Sequence, residues 1–175
     1  MAAGLECGVW AGLASLAWIG VYSAWIHQYW WACFNVAATP FFGDEVFRMG
    51  LSRATLAGAA LLGVAYSLLG LFLGYWIRPV SFWGMAIRAL MLALAWHFAA
   101  DRWLWQTLSP FADEYFHRRA MLPAHLAWFL LMLRYRWRYY AIAEVFGEPP
   151  RVELQTPPGE EGPPAATALE EEGPP

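Results

Sequence analysis

The sequence predicts an all-α polytopic membrane protein: a four-helix transmembrane bundle with an interfacial segment and a disordered C-terminal tail. Three observations point there. The stretch Thr55–Ile77 runs twenty-three residues without a charge. As a helix it would rise about 34 Å, slightly more than the ~30 Å hydrocarbon core of a bilayer. Charged residues make up only 14% of the chain and hydrophobic residues 59%, whereas soluble domains carry about 25% charged residues. Twelve Trp, eleven Phe and eight Tyr are many for 175 residues, and aromatic side chains concentrate where membrane meets water.

The first span covers about residues 5–26. A signal peptide would bring a basic n-region, a shorter apolar core and an A-x-A cleavage site. None of these is evident, so a retained membrane helix is expected. Gly4, Gly8, Gly12 and Ser15 form a small face near its start. The second span, residues 55–77, carries a ladder of Ala59, Gly63, Ser67, Gly70 and Gly74 on one helical face, with Gly70 and Gly74 in a GxxxG pattern. In lipid, burial of apolar surface no longer drives association, and small faces let two backbones approach closely. Gly63, Ser67, Gly70 and Gly74 are therefore the expected helix-packing residues, and the small face of the first span is their natural mate.

Between these spans, residues 27–54 are too aromatic for a solvated loop and too polar to cross. Trp30, Trp31, Phe34, Phe41, Phe42 and Phe47 predict a segment lying in the interface or dipping partly into the bilayer. Arg78-Pro79 ends the second helix, and a third span follows over residues 83–100, with Arg88 one turn inside, placed to snorkel. The fourth helix is expected to start near Ala112, to span about residues 115–140, and to continue as an amphipathic extension through Arg134, Arg136 and Arg138. Residues 1–146 thus form the transmembrane domain. Residues 147–175, rich in Pro, Gly and Glu, cannot bury enough surface to offset chain entropy and read as a disordered tail.

Charge follows the same division. All eleven basic residues are Arg. The tail holds seven Glu against one Arg, and the body ten Arg against seven acids. Four spans put both termini on one side, and the compact RYRWR cluster at Arg134–Arg138 predicts that side to be cytoplasmic, in the inner (plasma) membrane. Cys7 and Cys33 fall near opposite ends of the first span, roughly 30 Å apart on helical geometry, beyond disulfide reach.

Candidate chemistry gathers at one end. All four histidines, His27, His97, His117 and His125, fall there with Asp44, Glu45, Asp101, Asp113 and Glu114. In the plainest reading these are polar residues at helix ends, satisfied by neighbours or headgroup water. In a second reading His97 and His125 ligate a haem b from two helices. In a third, Glu114-x-x-His117 joins His97, Asp101 and His125 to hold one or two divalent metal ions, since Glu-x-x-His is the carboxylate-bundle arrangement. No cofactor is required by the first reading. P-loop, GxGxxG, GxSxG and HExxH patterns are absent, so no catalytic set is legible. RYRWRYY reads as a membrane-flanking cluster facing anionic lipid, not a nucleic-acid stripe.

Taken together, GVWAGLASLAW, WWACFNVAATPFFGDEVF, ATLAGAALLGVAYSLLGLFLG and PAHLAWFLLML resemble uncharacterised bacterial integral membrane proteins with four predicted spans, over about residues 8–133. The resemblance implies a membrane class and no chemistry. The tryptophan-rich sensory proteins share the Trp content, but they have five spans and a Pro/Trp-rich first loop, and WWACFNVAATPFF holds a single Pro. The expected role is a structural or interaction-type bundle that packs with itself or with subunits of a larger membrane complex. The rival is a haem- or metal-binding redox protein built on His97 and His125.

Overall fold

The computed structural model describes residues 1–77, 81–109 and 111–146, and these residues are helical with no strand among them. The Arg78-Pro79 break and the tail at 147–175 lie outside the described residues. Three helices are long and apolar enough to cross a membrane: α1 (Ala2–His27), α4 (Arg53–Trp76), and a helix over Phe82–Thr107 that begins as α5 (Phe82–Ala99).

α1 buries one stripe, including Cys7, Ala11, Ser15 and Ile19, while Trp10, Leu13, Val21 and Trp25 face outward. A helix apolar on its outer side as well as its inner one is the pattern of a membrane span or of the core of a larger assembly. It ends where Gln28 takes a left-handed conformation (φ 66°), a common way to stop a helix although Gly or Asn is the usual residue.

The connection to α4 is folded rather than loose. α2 (Ala32–Ala37), α3 (Thr39–Phe42) and a 3₁₀ turn over Gly43–Phe47 follow one another, with Pro40 at the start of α3, where its missing N–H costs nothing. α2 lies against α4. The buried carboxamide of Asn35 holds this segment in place. It donates to the carbonyls of Met49 (2.8 Å) and Gly50 (3.1 Å), and accepts from the Thr55 hydroxyl at 2.6 Å. α4 itself starts on a reciprocal cap between Ser52 and Thr55.

α4 packs along α1 through the small residues. A Cβ on Gly4 would stand 2.6 Å from the Gly70 carbonyl, and one on Gly8 would stand 2.9 Å from the Ser67 carbonyl. Gly74 lies over Gly4, and Gly63 meets the Leu16 side chain. The two backbones therefore touch along the lower half of α1, which side chains larger than hydrogen would prevent.

The third long helix differs from the sequence expectation at its far end. Where a stop near residue 100 is expected, the chain makes a π-helical turn over Ala100–Leu104 and continues as α6 (Trp105–Leu108). The fourth segment differs more. Instead of one helix from about Ala112, α7 (Ala112–Tyr115) stops at Phe116 and His117, whose ψ angles of 54° and 128° are not helical. Phe116 is pinned by Trp105, with the rings stacked 4.0 Å apart. α8 (Arg118–Met132) and α9 (Tyr135–Val145) follow, separated by a turn at Leu133–Arg134.

α8 and α9 run antiparallel to α1. Pro123 sits inside α8 and has no N–H to donate to the helix ladder. The Ala120 carbonyl accepts from the Trp18 indole at 2.8 Å, and the Ala124 carbonyl accepts from Ser15 at 2.9 Å. At the opposite end Arg138 meets Glu6 at 2.7 Å. The Tyr135 hydroxyl reaches the carbonyls of Ile77 (3.2 Å) and Gly74 (3.3 Å), which the end of a helix leaves without intrahelical partners. α1 is thus flanked by α4 on one side and α8 on another, and α5 leans mainly on α8.

Candidate functional site

Between α5 and α8 lies a buried histidine pair. α5 presents Met85, Ala89, Ala93 and His97 on its inner face, and the two alanines let α8 come close. His97 and His125 face each other through their Nδ1 atoms at 3.0 Å, with ring planes inclined at 63°. One imidazole must donate and the other accept, so both rings are neutral or share one proton. Nε2 of His125 is buried without a hydrogen-bond partner among the described residues. Around the pair stand large aromatic groups. The Tyr66 ring lies 5.9 Å from that of His125, and the Trp128 indole donates to the Tyr66 carbonyl at 3.2 Å.

One turn beyond His97 the surroundings become polar. Asp101 and Arg118 are the charges within reach of His97. They pair with each other at 3.7 Å, both partly exposed, and the Arg118 guanidinium lies 4.7 Å from the centre of the Phe98 ring. A cleft of about 230 Å³ opens here, lined by Asp101, Arg102, Gln106, Asp113, Phe116, His117 and Arg118.

The site residues named from the sequence are therefore split. His97 and His125 come together. Asp101 engages Arg118. His117 lies in the cleft, while Glu114 lies within electrostatic reach of His27. The Glu114-x-x-His117 spacing does not give one helical face, because the chain leaves the helix at Phe116 and His117. Among the described residues no three of His, Cys, Asp and Glu converge to hold a metal ion. A haem ligated by both histidines would need an iron and the thickness of a porphyrin between nitrogens that here touch, so α5 and α8 would have to part. A two-coordinate ion between the Nδ1 atoms asks for much less movement.

No family model, curated protein or solved structure matches the chain.

The geometry offers chemistry of two kinds. Gly63, Ser67, Gly70 and Gly74 lie along the α1–α4 seam, so these small faces are occupied within the chain. The histidine pair is a buried polar contact with one unsatisfied nitrogen. Reading the sequence alone overlooked four side chains. Tyr66 and Trp128 look like ordinary span aromatics until their partners are known. Asn35, the chain's single asparagine inside an apolar run, was a usable signal, because an amide there needs partners. Glu6 was another, an acid inside the first span that finds Arg138. Cys33 is also buried. Its thiol donates to the Tyr115 carbonyl at 3.3 Å, its own N–H is held by the Ser23 hydroxyl, and burial pushes the thiol up to about 11.

Proposed function

We propose that the chain is an integral protein of the inner (plasma) membrane, a four-helix bundle solvated by lipid, and that its role is structural or interaction-type, as a unit that packs with copies of itself or with other membrane subunits. The outer surface of the three long helices carries the reading. Leu13, Val21, Leu56, Val64, Leu68, Phe72, Ile87 and Met91 are each half or more exposed. Water penalises such a surface, and isolated soluble proteins rarely expose apolar patches of more than a few hundred Å². Because the glycine faces are used inside the chain, partners meet this outer surface or the polar end. Arg134, Arg136 and Arg138, at the end shared with Glu6, support cytoplasmic termini.

Membrane fractions carrying the full chain, washed in alkaline carbonate, test this. Retention in the pellet, and a monodisperse particle only when detergent is present, is the expected result. Release into the wash overturns it. Site-directed labelling of cysteines placed at Gly50 and Glu144 reports orientation, with the Glu144 position expected to be shielded in intact cells.

The histidine pair favours a second reading, a cofactor or metal-ion site on His97 and His125, through the facing Nδ1 atoms. Metal content and the visible spectrum of detergent-purified protein decide it. A Soret band or a stoichiometric ion lost in His97→Ala supports the site, and a colourless, metal-free sample removes it.

A further inference from the structure

A groove of about 490 Å³ runs down the outer face of α4, walled by Phe41 and Phe42 of α3 and floored by Ala57, Ala60, Leu61 and Val64. Its lining is apolar throughout. Arg53, the first residue of α4, stands at its mouth, the guanidinium 5.3 Å from the centre of the Phe42 ring. Among the described residues Arg53 makes no ion pair. Two exposed carboxylates, Asp44 and Glu45, begin two residues after Phe42 in the 3₁₀ turn.

We infer that this groove holds one acyl chain of a zwitterionic glycerophospholipid whose headgroup carries a primary amine. The phosphate lies on Arg53, and the ammonium faces Asp44 and Glu45. Length agrees with this assignment. From Arg53 to Val64 a helix rises about 16 Å, close to half the ~30 Å hydrocarbon thickness, so the groove spans one leaflet from headgroup to midplane. Charge agrees too. The exposed charges here, Arg48 and Arg53 against Asp44 and Glu45, balance, and so complement a headgroup bearing both signs. The two alanines of the floor supply the concavity, and α3 is held above them because Asn35 ties the preceding helix to the start of α4.

This inference rests on the outer surface being lipid-facing, and the two fail separately. Release of the chain from carbonate-washed membranes sinks both, whereas unselective lipid binding by a firmly integrated chain sinks only this one. The experiment is native mass spectrometry of the full chain in detergent micelles, titrated with phosphatidylethanolamine and, separately, with phosphatidylglycerol. The expected result is one retained phosphatidylethanolamine, favoured over phosphatidylglycerol. Arg53→Gln should weaken that binding about fivefold, the scale of one basic residue at a membrane surface. Ala60→Trp fills the groove from an exposed position, so the chain should stay monodisperse while the bound lipid is lost. Asp44→Asn with Glu45→Gln should erase the preference between the two lipids. Equal retention by wild type, R53Q and A60W, or a preference for phosphatidylglycerol in the wild type, would overturn the assignment.

Discussion

At Gly58 a Cβ would overlap the Phe34 carbonyl oxygen, and at Gly70 it would press on Gly8. In each case the obstructing atom is backbone and cannot rotate away. Replacing a helical glycine by alanine ordinarily gains up to about 1 kcal/mol, but overpacking a tight contact costs about 1–3 kcal/mol. Gly58→Ala and Gly70→Ala should therefore lower the thermal unfolding midpoint in detergent. Gly63→Ala should leave it unchanged or raise it, because the nearest atom there is Leu16 Cδ1 at 3.6 Å. A uniform response across the three would contradict the seam. The regular spacing of Gly63, Gly70 and Gly74 made that face legible from the sequence. Gly58 was not, because it lies off the face and its neighbour comes from a helix too short to show periodicity.

Cys33 offers a second measurement at this scale. Its thiol ionises at about 11 in the folded chain, against 9.0 as the ordinary value. The folded state thus keeps the proton that the unfolded state releases, so this group's contribution is complete below pH 9 and is lost between pH 9 and about 11. Cys33→Ala should flatten that part of the stability profile, measured by denaturant titration of the solubilised protein. Maleimide should label Cys33 slowly at neutral pH until the chain is unfolded.

Among the elements, the segment between α1 and α4 depends most on a single side chain. Asn35→Leu keeps the volume but strips partners from the Met49 and Gly50 carbonyls and the Thr55 hydroxyl, and unsatisfied buried groups cost about 1–3 kcal/mol each. Limited proteolysis should then cut between residues 43 and 52 before the long helices are touched. Tyr135→Phe, which removes only the hydroxyl capping the end of α4, should cost about 1 kcal/mol. The aromatic content of residues 27–54 set this segment apart from a solvated loop, but its three short turns were beyond pattern reading. The fourth helix was misjudged for a physical reason. Ala112–Tyr115 is helical, but Trp105, eleven residues earlier, takes Phe116 as a stacking partner, and no local propensity records that contact. The π-helical turn escaped notice similarly, since its sequence, ADRWL, carries no breaker.

For the whole molecule, the length and apolar character of three helices were plain from the sequence, since a segment able to cross a bilayer needs about 20 mostly apolar residues. Of their order in space, the small faces of the first two spans pointed to one pairing, α4 with α1. α4 lies on α1, and α5 lies on α8, a choice made by glycines in one pair and by alanines with two histidines in the other. Deleting residues 150–175 should leave the helical signal and membrane retention of the purified chain intact, and loss of either would show that the acidic end takes part in folding.

Because α5 finds its main partner only in α8, the order of manufacture acquires a meaning. His97 leaves the ribosome 28 residues ahead of His125, an interval of roughly 1–6 s at ordinary elongation rates. On the proposed membrane reading, an imidazole meant for a protein neighbour faces the translocation machinery or hydrocarbon throughout that interval. A nascent chain arrested before Arg118 should accordingly remain crosslinkable to the insertion apparatus through α5, and release should come with the arrival of α8.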